Sequence, residues 1–163
     1  MSSAPPIQAA DLSFGGRHQQ LGPVRILVVD DFEPWRRSIV SMIEEDPELQ
    51  VVYEASDGLE AVQMCQELQP DLVLLDVGLP KLSGFEAARQ IRVALPGTKI
   101  LFLSAIPSHE MAREALRIGA VGYICKADTL RHLLPALKAA AADEEFLSFT
   151  VLSEPKTDLP EEE

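Results

Sequence analysis

Cysteine is scarce in this sequence: Cys65 and Cys125 are the only two. They are far apart and fit no metal-binding spacing, so they read as small buried residues rather than a disulfide framework. Long apolar runs are missing too, and no stretch approaches the roughly 20 residues that a membrane span needs. The chain does not open on a basic region followed by an apolar one, so no secretory signal is read. The cytoplasm is therefore the expected location, with no membrane partner. Positive charge is in short supply: 14 Lys and Arg against 26 Asp and Glu leave a net charge of -12. Such a chain is repelled by phosphate backbones, so direct contact with nucleic acid is not expected. A glycine-rich phosphate loop is absent as well, because Gly15-Gly16 precedes no strand–helix unit.

What is present is an ordinary globular composition, 47% hydrophobic over 163 residues, enough for one domain with a core. Val24-Arg25-Ile26-Leu27-Val28-Val29 is nearly all apolar and β-branched, the pattern of a strand buried on both faces. A helical pattern comes next, with Trp35, Ile39, Met42 and Ile43 on one face, and Asp46-Pro47 stops it. The alternation continues. Strands are read at Val51–Ala55, Leu72–Leu75, Ile100–Leu103 and Val121–Ile124. The intervening helices carry Leu59, Val62, Met64, Cys65 and Leu68, then Phe85, Ala88, Ile91 and Leu95, then Met111, Ala115, Leu116 and Ile118. Gly119 is placed to stop the third of these. A last helix is expected from about Asp128 to Ala142, kinked at Pro135 or starting late because of it. Five strands alternating with five helices call for an α/β fold, a parallel sheet covered on both faces.

In such a sheet, ligands sit outside the carboxyl ends of the strands. Here those ends offer Asp30 and Asp31, then Asp76, Ser104 and Lys126. Clustered carboxylates repel, and a hard divalent cation with oxygen ligands relieves the repulsion. Lysine adds a mobile positive charge, and serine a hydrogen-bond donor. Together these groups suit a phosphoryl group carried on Asp76. Alone, Asp30-Asp31 also suits a helix N-cap, and Tyr123 also suits plain core filling.

The runs Ile26-Leu27-Val28-Val29-Asp30-Asp31 and Asp71-Leu72-Val73-Leu74-Leu75-Asp76-Val77-Gly78-Leu79-Pro80 with Gly84 after it carry a resemblance, together with Ser104-Ala105 and Gly122-Tyr123-Ile124-Cys125-Lys126. The chain resembles, over about residues 24–142, the receiver domain of bacterial two-component response regulators. The resemblance implies a flavodoxin-like, doubly wound (βα)5 fold with strand order 2-1-3-4-5. It implies that Asp76 is the phosphoacceptor, and that Asp30, Asp31, Asp76 and the Gly78 backbone carbonyl hold Mg2+. Ser104 and Lys126 would contact the phosphoryl oxygens. Tyr123 would act with Ser104 as the switch, turning inward as Ser104 is drawn to the phosphate. The implied donors are a sensor histidine kinase or a phosphotransfer protein, and no enzyme activity is implied beyond self-catalysed phosphorylation and dephosphorylation. The proline that often comes after the family's lysine is replaced by Ala127-Asp128, a variant familiar in the NarL-like subgroup. A haloacid-dehalogenase-type phosphatase needs a second Asp two residues beyond its nucleophile, and Asp30 is followed by Asp31 and Phe32.

Residues 1–22 read as a Pro-, Gly-, Ser- and Gln-rich tail and 143–163 as an acidic tail, leaving 23–142 as the receiver. Phe146–Ser153 resembles the linker ahead of a NarL-type output domain, yet the short acidic stretch beyond Ser153 has no room for a helix-turn-helix. The acidic end reads as a natural terminus, so the expectation is a stand-alone receiver acting through an unidentified protein partner. A DNA-binding regulator whose output domain is missing is the alternative. A homodimer is also consistent, with Leu130, Leu133 and Leu134 expected to offer apolar surface.

Overall fold

The computed structural model describes residues 22–142. The two expected tails, apart from Gly22, lie outside the described residues, as do His18 and the linker-like segment Phe146–Ser153. Five strands and five α-helices alternate: β1 (Val24–Val29), α1 (Glu33–Glu44), β2 (Leu49–Ala55), α2 (Gly58–Leu68), β3 (Leu72–Asp76), α3 (Gly84–Ala94), β4 (Lys99–Ser104), α4 (His109–Ile118), β5 (Gly122–Cys125) and α5 (Thr129–Ala141). A short 3-10 turn, Lys126–Asp128, leads into α5. The sheet order is β2-β1-β3-β4-β5 and every pair is parallel. This is the flavodoxin-like arrangement expected.

The apolar runs divide by parity. Successive side chains on a strand point to opposite faces, so Leu27, Val29, Val73, Leu75, Ile100 and Phe102 share one face. There they meet Ala61 and Cys65 of α2, Ala88 and Ile91 of α3, and Ala112 and Ala115 of α4. Ile26, Val28, Leu72, Leu74, Leu101 and Leu103 take the other face, under Ile39 and Ile43 of α1 and Leu133, Ala136, Leu137 and Ala140 of α5. Helices on both sides explain why β1, β3 and β4 show no polar alternation.

Local signals place the helix ends. Asp57, Ser83 and Ser108 accept backbone N–H bonds as N-caps of α2, α3 and α4. Gly119 ends α4 at φ +100°, a left-handed conformation that glycine adopts without cost. Some expectations are corrected. Leu133 belongs to the core rather than to a docking surface, because the buried stripe of α5 runs 133, 136, 137, 140 at helical spacing. Leu59 and Leu116, placed with the apolar sets of their helices, are 53% and 43% exposed. α5 starts at Thr129 and continues through Pro135, so the late start does not occur. Pro135 and Arg131, whose carbonyl loses its helical donor, are both exposed, which lets water serve that carbonyl.

Candidate functional site

The strand order reverses between β1 and β3, and the crevice at that point is where such sheets bind ligands. Asp30 directly follows β1 and is buried. Its Oδ1 accepts the Phe32 N–H at 2.9 Å. Its carbonyl accepts a 2.7 Å bond from Arg36, which also pairs with Glu54 at 3.1 Å. Arg36 thereby ties the β1–α1 turn to β2. Asp31, one residue on, is exposed. Asp76 ends β3 and is 6% exposed. Its Oδ1 accepts the Gly78 N–H at 3.3 Å. One carboxylate oxygen from each of Asp30, Asp31 and Asp76 lies within 4.8 Å of the other two.

Lys126 arrives from the end of β5. Its Nζ is 2.7 Å from Asp30 Oδ2 and 3.3 Å from Asp76 Oδ2, and it lies 5.6 Å from the centre of the Trp35 ring. Burial pushes the Asp76 carboxyl above its ordinary range, and the Asp30 charge pushes it further; Lys126 and the Gly78 N–H only partly offset this. Burial works against the Lys126 ammonium, but its bond to Asp30 and the charge of Asp76 outweigh that and hold it above its usual value. Three carboxylates against one ammonium leave a surplus of two negative charges. An all-oxygen donor set with that surplus fits a hard divalent cation, and Mg2+ commonly keeps waters beside one or two carboxylates.

The structure thus gathers Asp30, Asp31, Asp76 and Lys126. Ser104, the last residue of β4, is on the same rim but is engaged elsewhere: its Oγ lies 3.1 Å from the Ile106 N–H and 3.2 Å from the Ile106 carbonyl. Tyr123 is almost fully buried, already turned inward, and its hydroxyl donates to the same Ile106 carbonyl at 2.6 Å. Burial raises its phenol, with a hydrogen bond from Ser104 acting the other way. Gly78 is exposed and reaches the site through its N–H.

The contacts made by three other residues carry no signal in the sequence. Trp35 reads there only as core, although it stands one helical turn beyond Asp31. Gly84 lies close under the Asp76 backbone: a Cβ there would fall within 3.0 Å of the Asp76 carbonyl oxygen. Lys81, at φ +66°, pairs with the α2 cap Asp57 at 3.3 Å and joins the β3–α3 loop to α2. A cavity of about 570 Å³ opens at the opposite end of the strands, beside Val24, Leu49, Leu72 and Lys99, away from the acidic cluster. Among the described residues, no helix is long and apolar enough to cross a membrane.

Residues 26–138 match the response regulator receiver domain. The chain is 36% identical over 118 residues to the chemotaxis protein CheY of Listeria monocytogenes, covering 72% of this chain and 98% of that protein. It is 36% identical over 121 residues to the uncharacterized transcriptional regulatory protein YxjL of Bacillus subtilis, covering 74% of this chain and 56% of YxjL. The chain spans about half the length of such transcriptional relatives. Among solved structures, a LuxR-family two-component response regulator from Aurantimonas superposes with a TM-score of 0.78 at 33% identity, covering 82% of this chain and 95% of that one. The response regulator domain of Thermotoga maritima CheB gives 0.67 at 33% identity, covering 82% and 99%.

Proposed function

Since the chain belongs to the response regulator receiver domain family, we propose that Asp76 accepts a phosphoryl group and that the change is passed on through protein contacts. Response regulators receive phosphoryl groups from histidine kinases and are in general not enzymes; receivers bind Mg2+ at an acidic pocket. The observation that carries the reading is the buried Asp76, held 3.3 Å from Lys126 and within 4.8 Å of two further carboxylates. In this reading an Asp76 carboxylate oxygen attacks the phosphorus of a phosphohistidine. The P–N bond breaks, its electron pair stays on the imidazole, and an acyl phosphate forms on Asp76. Lys126 favours the ionised form of Asp76, partly offsetting burial and the Asp30 charge, and remains beside the developing phosphoryl charge. Asp30, Asp31, Asp76 and the Gly78 carbonyl would hold Mg2+, which supplies charge neutralisation at the phosphoryl oxygens. Ser104 would reach a phosphoryl oxygen by leaving Ile106. Because Tyr123 holds the Ile106 carbonyl, that exchange would shift the β4–α4 loop, giving Tyr123 and Ser104 the switch role.

The receiver is placed at 23–142, with 1–22 and 143–163 as flanking segments. A sensor histidine kinase or phosphotransfer protein would donate, and a separate protein would read the result. A second reading has one observation in its favour: the transcriptional relatives are about twice as long as the match. There the receiver governs a NarL-type DNA-binding domain, and the length of the gene's reading frame separates the two. Incubation with acetyl phosphate and Mg2+ is expected to add one phosphoryl group by mass spectrometry, and Asp76→Asn to abolish it. Undiminished phosphorylation of that variant would remove Asp76 from the role.

A further inference from the structure

We propose that Trp35 is a positioning residue for Lys126, and that its ring sets how strongly the ammonium competes with a divalent cation for Asp30. The inference rests on the phosphoacceptor reading above. Trp35 sits in the first turn of α1, and the Lys126 Nζ lies 5.6 Å from its ring centre, within reach of a cation–π contact. The ammonium therefore has three neighbours: Asp30 at 2.7 Å, Asp76 at 3.3 Å and the ring. The carboxylates attract it from the sheet ends, and the ring closes the α1 side. The ring itself is fixed by packing against the α1–α5 side of the core, with Ile39 and Ile43. Its Nε1 is buried and has no hydrogen-bond partner among the described residues. A tryptophan whose polar edge makes no bond contributes here through its face and its bulk.

Lysine is a compact charge on a flexible four-carbon stem, and this side chain is 21% exposed, so it has room to swing toward water. Holding it in place has two consequences of opposite sign. The ammonium sits on an oxygen of Asp30, and a divalent cation using that carboxylate must displace it. The same restraint keeps the ammonium within reach of Asp76, where phosphoryl charge develops. Weakening the ring contact should therefore tighten Mg2+ binding and slow phosphorylation. A residue that merely shaped the β1–α1 turn would behave differently. Its loss would displace Asp30 and Asp31 together and weaken both.

The test uses Trp35→Leu in the full chain. Mg2+ affinity is read from amide chemical shifts around Asp76 and Gly78, and phosphorylation rate from mass spectrometry with acetyl phosphate at saturating Mg2+. Expected are a Mg2+ Kd lower by about two- to fivefold and a rate lower by about the same factor, the size of a cation–π contact at a partly exposed site. Trp35→Phe keeps an aromatic face and should show the same signs at smaller amplitude, which preserves the test should the leucine variant fail to fold. Mg2+ affinity and phosphorylation rate that fall together or rise together, or no change in either quantity, overturn the proposal. The Mg2+ titration needs no phosphoryl transfer, so it judges Trp35 even where the Asp76→Asn result had removed the acceptor role.

Discussion

Replacing Asp76 by Asn should make the metal-free protein more stable. One carboxylate oxygen from each of Asp30, Asp31 and Asp76 lies within 4.8 Å of the other two. At an effective dielectric of about 20, each like-charged pair at that span costs about 3.5 kcal/mol, and Asp76 takes part in two. Lys126 at 3.3 Å returns about 5 kcal/mol on the same scale. Asp31 is exposed and its share is screened, while burial of Asp76 adds a cost of its own. A net gain of about 1–2 kcal/mol results for the neutral side chain, or roughly 4–8 °C in Tm for a domain of this size. The pH dependence has a definite sign. Folding raises the Asp76 carboxyl above its ordinary value, so the folded state binds that proton more tightly than the unfolded state. Stability from this group is fully present below the ordinary carboxylate pKa and is lost as pH rises through the raised one. The gap between Asn and Asp should thus be open at neutral pH and close in acid. Added Mg2+ is expected to bind the native wild type better than the variant and so to close the gap as well. Thermal melts by circular dichroism in EDTA, across pH and with Mg2+, provide the measurement. An Asn variant less stable than wild type in EDTA at neutral pH would refute the reasoning, as would a gap indifferent to both pH and metal.

Two glycines, Gly78 in the loop after β3 and Gly84 at the start of α3, should behave oppositely. Gly84→Ala forces a Cβ into the Asp76 carbonyl oxygen and should cost about 2–3 kcal/mol in urea unfolding, while Gly78→Ala meets nothing within 4 Å and should stay within about 0.5 kcal/mol. Asp57→Ala removes the cap on α2, a 2.8 Å bond from the Glu60 N–H, and the pairing with Lys81. The expected loss is about 1 kcal/mol at neutral pH. The Glu60 N–H, and Lys81 after it, hold the Asp57 carboxyl below its ordinary value against the opposing effect of burial. Its contribution is therefore present above the ordinary carboxylate pKa and fades as pH falls through the lowered one, so the loss should shrink in acid.

Legibility in the sequence tracks burial. β1 is readable to the residue because helices cover both its faces and leave all but Arg25 apolar. β2, an edge strand, begins two residues earlier than its apolar run, because Leu49 is buried against β1 while Gln50 faces water. Asp30, Asp31, Asp76 and Lys126 are readable because topology alone sends strand ends to one rim. Ser104 lies on that rim as its strand-end position implies, yet its engagement with Ile106 depends on a loop conformation that no spacing encodes. Trp35 looks like core since it lies four residues before Ile39. Only the tertiary fold shows that its ring also meets a lysine from the far end of the domain. The contact made by Gly84 has no signature, because a missing Cβ leaves no pattern to count.

The Lys126–Asp30 pair joins positions 96 residues apart, and Asp76 lies between them in the chain but in a neighbouring strand. No contiguous fragment that omits either end of the fold can assemble the site. A ribosome-bound chain that has not yet released β5 would carry Asp76 without its ammonium. In the proposed reading, competence to accept a phosphoryl group therefore waits on β5, the fifth strand of the sheet.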